Sequence, residues 1–94
     1  MTLRDIRKRA LTRMEEEILR LEKKLKKIRD THEALKQSLF DVSKRLKDTP
    51  DSSLLLHETE DIKKKISDVV VDIRNLDARL SRMKHRAERW RRKG

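Results

Sequence analysis

The side chains of this sequence with the clearest chemical potential crowd its two ends. Residues 1–13 carry Arg4, Arg7, Lys8, Arg9 and Arg13 against a single acid, Asp5, and residues 82–94 carry Arg82, Lys84, Arg86, Arg89, Arg91, Arg92 and Lys93 against Glu88. These stretches hold +4 and +6. Residues 14–81 contain fifteen basic and fifteen acidic side chains, so the whole formal charge of +10 resides at the termini. Nine of the twelve terminal cations are arginines, whose planar forks bind phosphate and carboxylate in bidentate fashion. Such a cluster attracts phosphate-rich surfaces, and binding through counterion release depends on salt and carries no sequence preference. Solvated charge that merely keeps a coiled coil soluble is the plainer explanation. Cations favour the dipole at a helix C-terminus but oppose it at an N-terminus, so local helix stability does not account for Arg4, Arg7, Lys8 and Arg9.

Trp90, the only tryptophan, stands among Arg89, Arg91 and Arg92. It can stack on a base between phosphate-binding arginines, or it can cap the end of a hydrophobic seam by covering Leu11. The candidate nucleic-acid-binding set is Arg4, Arg7, Lys8, Arg9, Arg82, Arg86, Arg89, Trp90, Arg91 and Arg92. No other chemistry suggests itself. His32, His57 and His85 lack metal-ligand spacing, and there is no cysteine to form a thiolate site or a disulfide framework. Without a glycine loop, a nucleophile–base pairing or an enclosed site, no enzymatic activity, metal, cofactor or small-molecule substrate is expected.

The elements that must position these residues are helices. Ninety-four residues with 34% hydrophobic, 47% charged and 2% aromatic side chains cannot build a thick globular core, but they match the composition of coiled coils. From Met14 the apolar places run Ile18, Leu21, Leu25, Ile28, His32, Leu35, Leu39, Val42 and Leu46, in alternating steps of four and three, the spacing of a heptad seam. Leu11 continues the seam upstream, Arg7 takes the next place, and Leu3, Ile6 and Ala10 follow a slightly rotated stripe that predicts a local change of winding. A second seam runs Leu55, Thr59, Ile62, Ile66, Val69, Ile73, Leu76, Leu80, Met83, Ala87 and Trp90.

Between the seams lies K-D-T-P-D-S-S, residues 47–53, rich in turn and cap residues with a proline that cannot continue a helix. The nine-residue step from Leu46 to Leu55 puts the seams out of phase for one continuous helix. The expected fold is therefore all-α, a single antiparallel two-helix coiled-coil hairpin over residues 1–94, with helices at 2–47 and 53–92 and a turn at 48–52. Reversal at Pro50 and Asp51 sets Leu46 opposite Leu55, Val42 opposite Thr59, Leu39 opposite Ile62, and finally Leu11 opposite Trp90. Thr2 is the expected cap of the first helix with Asp5 closing a capping box, and Thr49, Ser52 or Ser53 caps the second. In this register Glu17 would lie near Arg86, Glu15 near Lys84 and Arg45 near Glu58, while Lys24 would approach Arg79 and Lys36 would approach Lys63. Arms of about 40 residues at 1.5 Å each give a rod of about 60 Å, with both basic tails at one end.

Leu56, Val70 and Val71, with Phe40 and Leu19 on the first helix, are more apolar than a solvated flank requires, and they suit a homodimer in the form of a four-helix bundle. No apolar run reaches the roughly 20 residues of a membrane span. The N-terminal ten residues are basic and amphipathic like a mitochondrial presequence, but Asp5 and the continuity of their apolar positions with the helix argue against cleavage. An intracellular location, cytoplasmic or nuclear, is expected. Membrane docking is disfavoured because the terminal stretches lack a bulky apolar face. In overall shape such a hairpin is similar to plasmid RNA-binding helical hairpins and to the tRNA-binding coiled-coil arms of some synthetases, without a shared motif. Two functions remain in view. One is a hairpin whose basic end binds RNA or DNA. The other is a structural or adaptor protein that meets a protein partner through its rod or apolar flank, with the basic end against an acidic protein surface.

Overall fold

The computed structural model describes residues 2–93, apart from the side chain of Lys93, one of the basic residues counted above. Two long helices make up the chain: α1, Leu3–Asp48, and α2, Ser53–Lys93. They are antiparallel and form an all-α hairpin. Both begin on a side-chain cap. The Asp5 amide donates to Thr2 Oγ1 at 3.3 Å while the Thr2 amide donates to Asp5 Oδ2 at 3.4 Å, a reciprocal capping box that works with the shorter acid. At α2 the Leu55 amide donates to Ser52 Oγ at 3.3 Å, so Ser52 is the cap among the three candidates. Thr49 belongs to the end of α1, where its amide and hydroxyl both donate to the Arg45 carbonyl at 3.1 and 3.0 Å. The Ser52 amide then donates to the Thr49 carbonyl at 3.2 Å, which makes Thr49–Ser52 a β-turn with proline second, where its fixed φ is preferred.

The heptad seam is the buried line of both helices. Ile18, Leu21, Leu25 and Val42 of α1 and Thr59, Ile62, Leu80 and Ala87 of α2 are buried, and every other seam residue from Leu11 to Met83 is half-buried. Thr59 tolerates its place because its hydroxyl donates to the Leu55 carbonyl at 2.8 Å, leaving only its methyl to pack. His32 is half-buried, while Leu3 and Ile6 of the rotated stripe remain exposed.

Two compact units divide the hairpin, and each contains parts of both helices. The terminal unit consists of Met1–Lys26 with Arg74–Gly94, and the turn unit of Lys27–Ile73. In the turn unit, Lys36 and Lys63, which the sequence reading brought towards each other, are each paired on their own helix, with Glu33 at 2.7 Å and Glu60 at 3.8 Å. The hydrogen bond from Lys36, together with its charge, holds the exposed Glu33 carboxyl below the usual carboxylate range. Arg45 and Glu58 line one groove with Val42 and Ile62, consistent with the register set by the turn.

In the terminal unit one expected pairing changes. Glu15 meets Arg91 at 3.0 Å rather than Lys84, and Lys84 pairs instead with Glu22 at 3.2 Å. The reason lies in side-chain direction. Helical side chains lean towards the N-terminus of their own helix, so across an antiparallel pair Glu15 and Lys84 lean apart whereas Glu15 and Arg91 lean together. Glu17 makes a local pair with Arg20 at 3.1 Å.

Candidate nucleic-acid interface

The terminal unit collects the charge. It contains eighteen basic and seven acidic side chains, net +11, and the turn unit nine and ten, net −1. Within the terminal unit the seam ends in a cleft. Stepping up α1 from Leu11, the next two seam places fall to Arg7 and Arg4. Guanidinium groups do not extend a dry seam, so the apolar line of α1 stops at Leu11, and an open hollow lies at this end of the terminal unit. This hollow has a volume of about 560 Å³ and is lined by Leu3, Arg4, Arg7, Lys8, Leu11, Trp90 and Arg91. Its lining is partly apolar and partly cationic. Ala87, the preceding seam residue of α2, is only 1% exposed and is not part of the lining.

Trp90, the last seam residue of α2 and 36% exposed, lines this cleft together with Leu11. Arg91 is steadied from behind by Glu15. Arg4, Arg7 and Lys8 make no ion pair with any described acidic side chain. Three of the four cations lining the cleft therefore have no acidic partner among the described residues, and the fourth, Arg91, has Glu15.

The other predicted residues are distributed around this site. Arg9 lines a shallower hollow with Lys8, Thr12, Arg13 and Glu16. Arg82 donates through Nε to the Ala78 carbonyl at 3.3 Å, and Arg92 pairs with Glu88 at 3.2 Å. Arg86 and Arg89 are exposed in the same unit but line neither hollow. Leu3 and Leu11 were not read as part of a site. The signal was present in the passage of the seam from leucine to arginine at Arg7 and Arg4, which leaves the last apolar layer uncovered.

Of the apolar residues proposed for an oligomer interface, Leu19 (57% exposed) lies in the terminal unit, and Phe40 (55%), Leu56 (47%) and Val71 (54%), with half-buried Val70, lie in the turn unit. The Phe40 ring is partly occupied by Lys44, whose ammonium stands 4.6 Å from the ring centre. No helix among the described residues is long and apolar enough to cross a membrane, and no group of three or more His, Cys, Asp or Glu among them could hold a metal ion. No protein-family model, curated protein or solved structure matches the chain.

Proposed function

We propose that this protein is a non-enzymatic coiled-coil hairpin whose gathered basic termini bind a polyanion, RNA or DNA, inside the cell. The observation that carries this is the convergence of Arg4, Arg7, Lys8 and Arg91 on one cleft within a unit of net charge +11. A solubilising role asks only that cations be dispersed, whereas here four of them surround an exposed tryptophan. Arginine on phosphate supplies the affinity, and the helices hold the cations in place in advance.

Fluorescence anisotropy of a labelled oligonucleotide across a salt series tests this. With about four phosphates neutralised, affinity should fall roughly 50- to 150-fold between about 50 and 200 mM salt. Replacing Arg4, Arg7, Lys8 and Arg91 together with glutamine should weaken binding sharply and flatten its dependence on salt. Tight binding that survives those replacements, or that ignores salt, would refute the proposal.

Exposure of Phe40, Leu56 and Val71 favours a second reading, in which the turn unit self-associates or docks on a protein partner, with the hairpin acting as an adaptor or structural element. Light-scattering mass measurements on wild type, Phe40→Glu and Val70→Glu decide it. A dimer mass reduced by either substitution supports self-association, and a monomer that captures no partner counts against the surface.

A further inference from the structure

We infer that the terminal cleft accepts an unpaired base, so that the nucleic acid recognised is single-stranded, or carries a single-stranded end or loop, rather than a continuous duplex. This rests on the polyanion reading above and deepens it by naming the form of nucleic acid. A duplex offers a protein surface mainly its phosphates, with the bases stacked inside. Cations alone would suffice to hold it, and they could lie anywhere on the terminal unit. The cleft contains more than cations. Its lining joins three apolar side chains, Leu3, Leu11 and the partly exposed Trp90, to four cationic ones, Arg4, Arg7, Lys8 and Arg91.

An apolar and aromatic surface among cations is complementary to a flat ring that carries phosphate on its backbone, the composition of one splayed nucleotide. The volume of about 560 Å³ lies within the range of small-ligand sites. Ala87, the preceding seam residue of α2, is buried and the cleft is open to solvent. A base can therefore enter from outside while its flanking phosphates remain with the cations. Duplex bound at the same cations would leave the apolar side chains uncovered and Trp90 without a stacking partner.

Charge at the site supports the same form of ligand. Arg91 pairs with Glu15 at 3.0 Å, while Arg4, Arg7 and Lys8 have no acidic partner among the described residues, so the paired cation lines the cleft from α2 with Trp90 and the uncompensated ones line it from α1. This arrangement brackets one nucleotide: phosphate on either side, base between.

The experiment uses the whole protein and three labelled probes with equal numbers of phosphates: a mixed-sequence single strand, a blunt duplex, and a single strand with abasic sites throughout its centre. Stacking on an aromatic side chain predicts that the single strand binds about five- to 150-fold more tightly than the abasic strand, and more tightly than the duplex. It also predicts that only the base-bearing strand quenches Trp90 fluorescence. Trp90→Ala should bring the single strand down to the affinity of the abasic strand, and Trp90→Phe should retain most of the preference. Circular dichroism confirms that each variant keeps its helices, and the abasic comparison on wild-type protein stands even if a variant does not fold. Equal affinity for all three probes, or an equal loss on all three in Trp90→Ala, overturns the base-in-cleft inference while leaving the polyanion reading intact. Failure of every probe to bind at low salt overturns both.

Discussion

In the turn unit nine basic and ten acidic side chains surround the seam, and in the terminal unit eighteen basic side chains face seven acidic ones, although the same apolar line runs through both. Where charge is balanced, ions find partners one turn away, as Lys36 does with Glu33 and Lys63 with Glu60. Where bases exceed acids, the few acids pair in part across the helices, Glu15 with Arg91 and Glu22 with Lys84, and Arg4, Arg7 and Lys8 are left over. The seam holds the hairpin in both places, and the charge outside it balances in one unit and not in the other; on the function proposed above, the first is a scaffold and the second a surface for anions. Exposed ion pairs contribute only about 0–1 kcal/mol each, so arginines in excess cost the fold little and remain available for binding.

The comparison can be broken most forcefully at the seam. Leu25→Ala in the terminal unit and Ile62→Ala in the turn unit remove buried side chains and should each cost about 2–5 kcal/mol in chemical denaturation. A large loss in one unit with none in the other would show that they are not held by the same means. Binding provides the next test. The combined glutamine replacement of Arg4, Arg7, Lys8 and Arg91 should flatten the salt dependence of oligonucleotide binding, whereas Lys63→Gln, Lys64→Gln and Lys65→Gln together, in the turn unit, should leave it nearly unchanged. Equal effects would erase the distinction between scaffold and surface.

A smaller effect is expected at the caps. Ser52→Ala should destabilise the hairpin by about 0.5–2 kcal/mol, because the turn sets the register of both helices. Thr2→Ala, at a chain end, should mainly increase hydrogen exchange in the first turn of α1. The smallest effect concerns Glu33. Its folded-state carboxyl titrates below the ordinary range because of Lys36, so the contact helps above the unfolded value and is lost as pH falls through the folded one. Lys36→Gln should move the Glu33 titration, followed by carboxyl NMR, back towards the ordinary range. An unmoved titration would remove Lys36 as the cause.

Much of the molecule was legible because its decisive signals are local. Steps of four and three mark a helix face wherever they occur, Pro50 cannot continue α1, and Thr2 with Asp5 closes a turn of its own. The segregation of charge needed only counting, and reversal at Pro50 implied that the two basic tails meet. Three features needed the third dimension. Ser52 was chosen over Thr49 because Thr49 gives its hydroxyl to Arg45 and so belongs to the preceding helix. Glu15 turned from Lys84 to Arg91 because side chains lean along the helix, a direction that residue spacing does not carry. The cleft draws its lining from both helices, Leu3, Arg4, Arg7, Lys8 and Leu11 of α1 and Trp90 and Arg91 of α2, at the point where α1 replaces leucine by arginine. The sequence determined the seam, the reversal and where the charge would gather. The tertiary structure alone decided that the gathered charge would share an open cleft with apolar side chains, since a cleft requires two surfaces and each helix supplies one.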